Sequence, residues 1–448
     1  MRIGLDFGTT NTSAAYYNRG ELSIIPSKFS DTSGILPSLI YIKKDDYSTF
    51  YGKSAVLHYL QDETGRPAKW ETYHAGILSY WVGTDPEPTL VTEDIWLQVD
   101  IGAKGRLLQS VKTALRSRYY AGTSIFGKFY TLEDLIALIL REIHDAAVIK
   151  LGQNVDSVLL GRPVKFSEDA DIDKRAQAIL KDAANASGFS DVNFMAEPIA
   201  AAYSYHIKLN KRSRVLVFDF GGGTLDLTVM NIGGKEDPQV LSTEGVLIGG
   251  DDLDQQIMES FLLRYFGKDI PYKRDLTLPF DVYEILLSWS RHPELTRGTL
   301  YYSIREAVNS YKDGPEFKSL LSLINNKYGF QLFETIEKVK VALSDKEEDF
   351  LRFHVTDIDI DRLITRKAFS VSIEGFIKMM EDGITEVLKK ANTLPDQIDL
   401  VLCTGGSSAV VAVQDMLSSK FGKGKIEQHE SFLGVSSGLA VAASIMGK

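Results

Sequence analysis

The sequence predicts an α/β protein that is internally duplicated and folded as one two-lobed body. Apolar strands alternate with amphipathic helices along most of the chain, which is the pattern of α/β domains. A strand, a Gly/Thr turn and a second strand occur at the N-terminus and occur again near residue 220. One motif in both halves is typical of a duplicated fold. No low-complexity or Pro-rich linker separates the halves, so we expect them to interlock.

Length, charge and cysteine content limit the classes of protein to which this chain can belong. Its 448 residues are too many for one compact core and indicate about two or three domains. The net charge of −10 argues against binding to nucleic acid or anionic membranes, which needs a basic surface. Cys403 is the only cysteine, so a reducing compartment is expected. No signal peptide precedes the first strand and no apolar run reaches the ~20 residues needed to span a bilayer, which predicts a cytoplasmic protein.

The two Gly/Thr turns carry the strongest functional signal. Residue alternation places Asp6 and Asp226 on the faces opposite the apolar side chains of their strands. The turns expose backbone N–H groups and hydroxyls, and such donors suit a polyphosphate. Because the flanking carboxylates would repel bare phosphate, a cation is expected between them, and hard oxygen ligands favour Mg²⁺. One such turn alone could be an ordinary β-turn, but two facing each other would hold a Mg-nucleotide.

The elements of the first half follow from periodicity and capping. Residues from about Gln61 to Gly105 are irregular, and we interpret them as an elaborated subdomain because Trp70, Trp81 and Trp96 need something to pack on. The regular elements predicted around this stretch are a strand at Ser38–Ile42, ordered structure at Ser110–Leu115, a helix at Thr131–Ile149 capped by Thr131, a buried strand at Val155–Leu160, a helix at Ile172–Ser187 and a helix opening at Glu197–Ala202.

The second half repeats the alternation after its own hairpin. The aromatic-rich stretch Gly267–Phe330 lacks a clear period and is interpreted as a second elaboration. The regular elements predicted there are a turn and helix from Ile248 through Tyr265, a helix at Leu332–Ser344, a helix at Ser370–Ala391, a strand at Asp399–Thr404 and an Ala-rich closing helix at Gly434–Met446.

Together these motifs resemble the nucleotide-binding domain of the seventy-kilodalton heat-shock chaperones, within the actin/sugar-kinase superfamily. The matches run through the whole chain in the family's order, which makes them specific. The segments that carry the resemblance are Ile3–Asn11, Ala196–Ala202, Phe218–Asp226, Ile364–Arg366 and Gly405–Ser407. The resemblance implies an actin-like ATPase fold of two lobes, each built on a mixed β-sheet flanked by helices, with the nucleotide in the cleft between the lobes.

The resemblance also implies roles for individual residues. Asp6 and Asp219 are expected to order the water shell of Mg²⁺, Glu197 to lie beside the attacking water, and Lys112 to reach the γ-phosphate. These roles suit phosphoryl transfer, which depends on positioning and charge neutralisation. Taken alone, Lys112 could be a solvated helix lysine and Glu197 a carboxylate stabilised by a helix dipole. The residues expected to hold the phosphates are Gly8, Thr9, Thr10 and Asn11 in the first turn and Gly221, Gly222, Gly223 and Thr224 in the second.

The adenosine side of the implied site departs from the family pattern. Val341 and Ala409 stand where the family has arginines against the adenine. Arginine stacking contributes ~0.5–2 kcal/mol per contact, and ~1.4 kcal/mol is a factor of ten in affinity. We therefore expect weaker nucleotide binding than in the full-length chaperones. The residues that match the family here are Gly249, Gly250, Glu337, Lys340, Ser344, Gly405, Gly406 and Ser407.

The predicted domains follow the two halves. The first lobe is expected at 1–208, with an insertion-bearing subdomain at about 38–124, and is completed by a C-terminal helix at 428–448. The second lobe is expected at 209–427, with its insertion-bearing subdomain at about 251–364. Because the chain stops at Lys448, we expect no interdomain linker and no β-sandwich peptide-binding domain, an arrangement that resembles short bacterial members of the family.

The leading interpretation is a Mg-dependent chaperone-like protein that binds and weakly hydrolyses ATP, moves its lobes with nucleotide, and acts on a protein partner or client. Three alternatives stay open. The first is a small-molecule kinase for a sugar or an acid, with Glu197 as base. The second is a filament-forming actin homologue. The third is a nucleotide-binding regulator with very low turnover. ATP and GTP both stay open as the nucleotide.

Overall fold

Two β-sheets, one in each half of the chain, organise the fold. The structure is a computed structural model that describes residues 1–82, 89–206, 209–428 and 433–446. Within these ranges it describes all side chains apart from those of residues 75, 80–82, 89, 97 and 446.

The strands, in chain order, are β1 (Arg2–Phe7), β2 (Asn11–Asn18), β3 (Glu21–Ile24), β4 (Leu36–Pro37), β5 (Leu39–Lys43), β6 (Thr49–Tyr51), β7 (Trp70–Val82), β8 (Thr89–Asp100), β9 (Gly105–Gln109), β10 (Gly122–Ile125), β11 (Lys128–Thr131), β12 (Ser157–Arg162), β13 (Asp191–Ala196), β14 (Ser213–Phe220), β15 (Leu225–Ile232), β16 (Gln239–Val246), β17 (Glu348–Val355), β18 (Ile358–Thr365), β19 (Leu400–Thr404) and β20 (Ile426–Gln428).

The α-helices are α1 (Gly52–Asp62), α2 (Leu132–Leu151), α3 (Ala170–Ala186), α4 (Glu197–His206), α5 (Gly250–Ile257), α6 (Phe280–Leu286), α7 (Gly298–Ser310), α8 (Glu316–Asn325), α9 (Gly329–Asp345), α10 (Arg366–Ser372), α11 (Glu374–Lys390), α12 (Val411–Phe421) and α13 (Gly434–Met446). Among the described residues, no helix is both long and apolar enough to cross a bilayer.

The two main sheets share one topology. The first has the order β13-β12-β1-β2-β3, and the second has the order β20-β19-β14-β15-β16. In each, the hairpin strands are antiparallel, and the first hairpin strand lies parallel to a strand that follows much later in the sequence. Both sheets are therefore mixed. This correspondence confirms the duplicated, two-lobed α/β fold that the repeated motif predicts.

Two helices lie between the sheets and join the halves. Side chains of α4 and α13 pack in one buried cluster with side chains from both sheets. Those from the sheets include Leu159, Val215 and Leu402. Helix α13 can lie this close to its neighbours because the residues at the contacts are glycines. A Cβ at Gly4 would lie 2.2 Å from the backbone nitrogen of Ala440, and one at Gly438 would lie 1.6 Å from the carbonyl oxygen of Ala200.

Most predicted elements are confirmed, with shifted ends. Thr131 caps α2 through a reciprocal capping box with Asp134, as the N-cap chemistry predicts. The predicted helix at Ser370–Ala391 is two helices, α10 and α11, which meet at Ile373. Ordered structure at Ser110–Leu115 takes the form of a 3₁₀ helix at Val111–Arg116. Parts of the predicted 428–448 helix and of the 208/209 boundary fall at residues 429–432, 447–448 and 207–208, outside the described residues.

The two elaborations are more regular than predicted. Instead of an irregular subdomain, β7 and β8 form a long antiparallel hairpin. The expectation that its tryptophans have something to pack on is met only in part by Trp96, which packs edge-on against the His74 ring at 4.9 Å between ring centroids but is 59% exposed. Trp81 lies among the residues whose side chains are not described. The aromatic-rich stretch Gly267–Phe330 is largely helical, because α6, α7 and α8 bury their aromatic and aliphatic side chains in the core of the second half.

We expect Gly438→Ala to lower the free energy of unfolding by about 1–3 kcal/mol, because the added methyl group meets backbone of α4 that cannot rotate away. The matched control is Gly375→Ala in α11, where a Cβ would meet no atom within 4 Å. That substitution is expected to raise the free energy of unfolding by up to about 1 kcal/mol, since alanine is the better helix former. Urea denaturation measures both, and equal shifts in the two variants would contradict the close α4–α13 approach.

Candidate functional site

A cavity of about 360 Å³ lies between the two Gly/Thr turns. This volume is within the range of small-molecule sites, about 300–1,000 Å³. The predicted residues that line it are Asp6, Gly8, Thr9, Thr10, Asn11, Lys112, Glu197, Asp219, Gly221, Gly222, Gly223, Thr224, Gly250, Glu337, Lys340, Ser344, Gly405, Gly406 and Ser407. The structure thus gathers residues from both halves around one space.

The two turns have the same closure and touch each other. The Gly8 N–H donates to the carbonyl of Asn11 at 2.9 Å, and the Gly221 N–H donates to the carbonyl of Thr224 at 3.0 Å. A Cβ at Gly222 would lie 2.2 Å from the Thr10 hydroxyl oxygen. Any side chain at this glycine would therefore require Thr10 to move. The donors of both turns face a shared cavity.

A third segment, residues 249–251, contacts the backbone of the second turn. The Gly250 N–H donates to the carbonyl of Gly221, and the Asp251 N–H to the carbonyl of Gly222, each at 2.9 Å. A Cβ at Gly249 would lie 2.2 Å from the Gly222 carbonyl oxygen. Gly249 was predicted to contact the cofactor, but the structure places it against this turn and not among the residues that line the cavity.

Carboxylates flank the two turns, with Asp6 beside the first turn and Asp219 and Asp226 beside the second. Burial, together with repulsion from Glu197 and Asp219, raises the pKa of Asp6 well above its ordinary range. Burial and the Glu197 charge raise the pKa of Asp219 to about 7. The same causes, with Asp219 added, raise the pKa of Asp226 to about 7. The site is therefore short of positive charge and suits a cation.

Lys112 and Glu197 form a buried ion pair. The Lys112 ammonium lies 2.7 Å from the Glu197 carboxylate, and both residues are less than a tenth exposed. Burial lowers the pKa of Lys112, but the negative charges of Glu197 and Asp6 raise it by more, so the pKa is raised overall. Glu197 is the first residue of α4, and Lys112 lies in the 3₁₀ helix at Val111–Arg116. The structure excludes the alternative in which Lys112 is a solvated surface lysine.

Helix α9 and the end of β19 form the other end of the cavity. The Lys340 ammonium lies 2.7 Å from the Asp254 carboxylate and donates to the carbonyl of Gly250 at 3.1 Å. Val341 and Ala409 both line the cavity, and both side chains are exposed. The structure thus places aliphatic side chains at the two positions where the family resemblance predicts arginine.

Several residues of the site were not among the predicted site residues. Ser13, Asp251 and Thr404 line the cavity. Ser13 lies directly opposite Asp6 in the β1–β2 ladder, so strand register was the signal that could have identified it. Arg116 donates to the Gly223 carbonyl at 2.7 Å and so fixes the second turn. Arg116 follows Lys112 by four residues in the same 3₁₀ helix, a spacing that the sequence does display.

The donors of the site decide whether it fits Mg²⁺. Within the described ranges, no three His, Cys, Asp or Glu side chains gather as a metal-binding group. Asp6 and Asp219 are two carboxylates with raised pKa values beside the Gly/Thr turns. Mg²⁺ keeps several waters and uses one or two carboxylates plus phosphate oxygens. These donors fit such a partly hydrated ion.

The pKa of Asp251, raised to about 7 by burial and then by Asp254, predicts a pH effect on the nucleotide-free protein. A group with a raised pKa in the folded state contributes stability below its unfolded pKa and loses that contribution as pH rises through the folded value. Relative to Asp251→Asn, the parent should therefore lose on the order of 1 kcal/mol between pH 5 and pH 8. Unfolding curves across this range measure the difference, and parallel pH profiles would refute it.

Comparison with known proteins agrees with this geometry. A family model described as Hsp70 protein matches residues 105–278 and 318–448. A chaperone protein dnaK from Gracilaria tenuistipitata var. liui is 25% identical over 467 aligned residues, which cover 99% of this chain and 60% of the relative. The chain thus spans about three fifths of the length of that curated relative. The fold, the paired turns and the family match agree, and the chain belongs to the Hsp70 family.

Proposed function

We propose that this protein binds Mg-ATP in the cavity between the two turns and hydrolyses it slowly. The observation that carries the proposal is the contact between the turns, which directs two sets of backbone and hydroxyl donors from different halves at one space. Such donor sets suit a polyphosphate. Membership of the Hsp70 family supports ATP as the nucleotide.

In this proposal the phosphates lie against Thr9, Thr10, Gly222 and Thr224, and the adenosine lies towards α9. Asp6 and Asp219 would hold Mg²⁺ through water. When bound, that ion would offset charge on the phosphate oxygens. The raised pKa values of these two carboxyls support the assignment, because a cation relieves the repulsion that raises them.

The buried ion pair supports separate roles for Lys112 and Glu197 in hydrolysis. Their charges neutralise each other at a distance of 2.7 Å. A γ-phosphate competes with Glu197 for the lysine, because both present anionic oxygens. Once Lys112 turns to the phosphate, the Glu197 carboxylate is free to accept a hydrogen bond from water and orient it. Positioning and charge neutralisation then supply most of the catalysis.

We further propose that the halves move relative to each other and that this movement acts on a protein partner. A second contact between the halves supports it, remote in sequence from the turns. The Lys327 ammonium lies 2.5 Å from the Glu63 carboxylate and 3.0 Å from that of Asp100. The Trp289 indole N–H donates to Gln109 at 2.9 Å. The same contact holds a small apolar cluster, in which Tyr59 packs against Trp289 and Phe330. A contact of this limited and mixed kind can separate and re-form.

The division into lobes at 1–208 with 428–448, and 209–427, belongs to the same proposal. Separate buried clusters on the two main sheets support it. The helices α4 and α13, which share a cluster with strands of both sheets, are the natural hinge region. A cytoplasmic location is proposed on the ground that Cys403 is the only cysteine.

A nucleotide-binding regulator with very low turnover is the second candidate. The observation that favours it is the same ion pair, because Lys112 and Glu197 already satisfy each other in a buried setting. Opening the pair costs free energy, since it leaves two buried charges to find new partners. In this candidate nucleotide binds and shifts the lobes, and the pair stays closed.

We expect Glu197→Gln and Lys112→Ala to slow ATP hydrolysis by about 10²–10³-fold while ATP affinity changes much less, because the lost interactions form in the transition state. Single-turnover hydrolysis and calorimetric titration measure the two quantities. Lys318→Ala is the control, since this lysine is exposed on α8.

If both variants hydrolyse ATP at the parental rate, the roles assigned to Lys112 and Glu197 are wrong. If the parent shows no cleavage above background while still binding ATP, the regulator is favoured. Thermal unfolding of each variant separates a lost role from a lost fold, because removing one partner of a buried pair also destabilises the protein.

Arginine at the two aliphatic positions of the adenosine side should tighten ATP binding. Val341→Arg combined with Ala409→Arg is expected to raise affinity about tenfold, since each guanidinium can stack on the base. The matched control is Val341→Lys with Ala409→Lys, which adds the charge without the planar group. Titration with tripolyphosphate separates base stacking from phosphate attraction. An equal gain for ATP and tripolyphosphate would contradict adenine binding at α9.

A further inference from the structure

The hairpin of β7 and β8, which we name the arm, is long and separate from the main sheets. Its strands pair from Trp70↔Asp100 to Val82↔Thr89. In the part of the chain that the structure describes, these two strands form a sheet of their own. None of the arm's described residues lines the cavity between the turns. It also lies outside the residues matched by the Hsp70 family model.

The base of the arm is held firmly. The Asp100 carboxylate lies 2.7 Å from the Arg66 guanidinium and 3.0 Å from the Lys327 ammonium. It also accepts the Lys69 N–H at 2.9 Å. Arg297, from the second half, donates to the Gln98 carbonyl at 3.3 Å. The arm therefore projects from a fixed point where the two halves meet.

Apolar side chains are exposed on both faces of the arm. Register and alternation place Tyr73 and Leu78 on one face, together with Ile95 and Val99, and each is at least a third exposed. The opposite face carries other exposed apolar side chains, which are Ile77, Leu90 and Trp96. A two-stranded hairpin is only marginally stable in water, and a third strand or a packed face is what usually stabilises one.

Strand β8 lacks the usual features that protect a sheet edge. It has no lysine, proline or bulge of its own, and the bulge of the arm lies in β7, between His74 and Gly76. Natural proteins shield exposed edges with lysines, prolines or bulges that twist the edge away. From Trp70 to Asp100 the sequence contains six carboxylates and no lysine or arginine. Glu93 and Asp94 lie in the middle of β8, and the Asp94 carboxylate is 2.7 Å from the His74 ring. Apart from the Arg297 contact at Gln98, this apolar and acidic edge suits a strand of opposite charge.

We propose that the arm binds an extended, basic and apolar segment of another polypeptide, which adds to the outer edge of β8 as a third strand. Main-chain hydrogen bonds supply part of the affinity, apolar residues of the segment cover one face, and its lysines or arginines offset the carboxylates. A second copy of this chain is a poor occupant, because two arms would bring like charges together. The proposal is independent of ATP hydrolysis.

Fluorescence anisotropy with labelled peptides tests the chemistry of the occupant. The probe is a peptide that alternates valine and lysine. Its controls are the same peptide with glutamate for lysine and the same peptide with a central proline, which cannot complete a strand ladder. We expect saturable binding of the lysine peptide that weakens steeply with salt, no binding of the glutamate peptide, and at least about tenfold weaker binding of the proline peptide.

Variants of the arm test the location. Leu78→Lys with Ile95→Lys should weaken binding of the lysine peptide about tenfold or more. Ile149→Lys is the matched control, an apolar side chain 82% exposed on α2, and should leave binding unchanged. A shortened arm, with residues 77–94 replaced by Asn-Gly, keeps the contacts of Asp100 and should lose the peptide while ATP affinity stays at the parental value.

Three results would overturn the proposal: equal binding of the lysine and glutamate peptides, undiminished binding by the shortened arm, or sedimentation that shows a dimer lost when the arm is shortened. The last would assign the arm to contacts between copies of this chain. Because ATP affinity is measured on the same samples, failure of the arm proposal and failure of the nucleotide proposal give different results.

Discussion

The contact between the two Gly/Thr turns is the interaction on which the rest of the structure depends. Each turn is closed by one backbone hydrogen bond, and the turns approach so closely that a methyl group on Gly222 would collide with Thr10. This approach requires that both sheets present their hairpins at the same end, which the shared strand order achieves. It also requires α4 and α13 to pack at glycine-limited distance between the sheets. The geometry of the site is thus set by backbone packing far from its charged groups.

Charge balance is the second constraint. Asp6, Asp219 and Glu197 line the cavity together with Lys112, and Asp226 acts on Lys112 from beside it. Burial raises the pKa of each of the three aspartates. A protein that used these groups only for stability would be better served by apolar side chains. Perturbed carboxyls that converge on a cavity are typical of functional sites. We infer a similar role for the charges of the arm, whose acidic side chains and unpaired β8 edge favour a partner strand over solvent.

Features that depend on local sequence patterns could be predicted from the sequence. Features that depend on contacts between distant residues could not. The hairpins follow from alternation and turn residues within a dozen positions, so both were predicted. Lys112 and Glu197 are 85 residues apart and were assigned to one site only through the family resemblance, and their ion pair was not predicted. The arm was missed because apolar residues on both faces remove the period of two, and a bulge at His74 shifts the register. Helices α6 to α8 were missed because buried aromatic residues there obscure a helical stripe.

A crystal structure with Mg²⁺ and a non-hydrolysable ATP analogue would show directly whether the two turns hold the nucleotide. We expect the β- and γ-phosphates between the Gly8–Asn11 and Gly221–Thr224 turns, with the metal one water away from the carboxylates of Asp6 and Asp219. We also expect the Lys112 ammonium on a phosphate oxygen and no longer on Glu197. Phosphates that contact only one turn, or a nucleotide bound outside this cavity, would contradict this expectation.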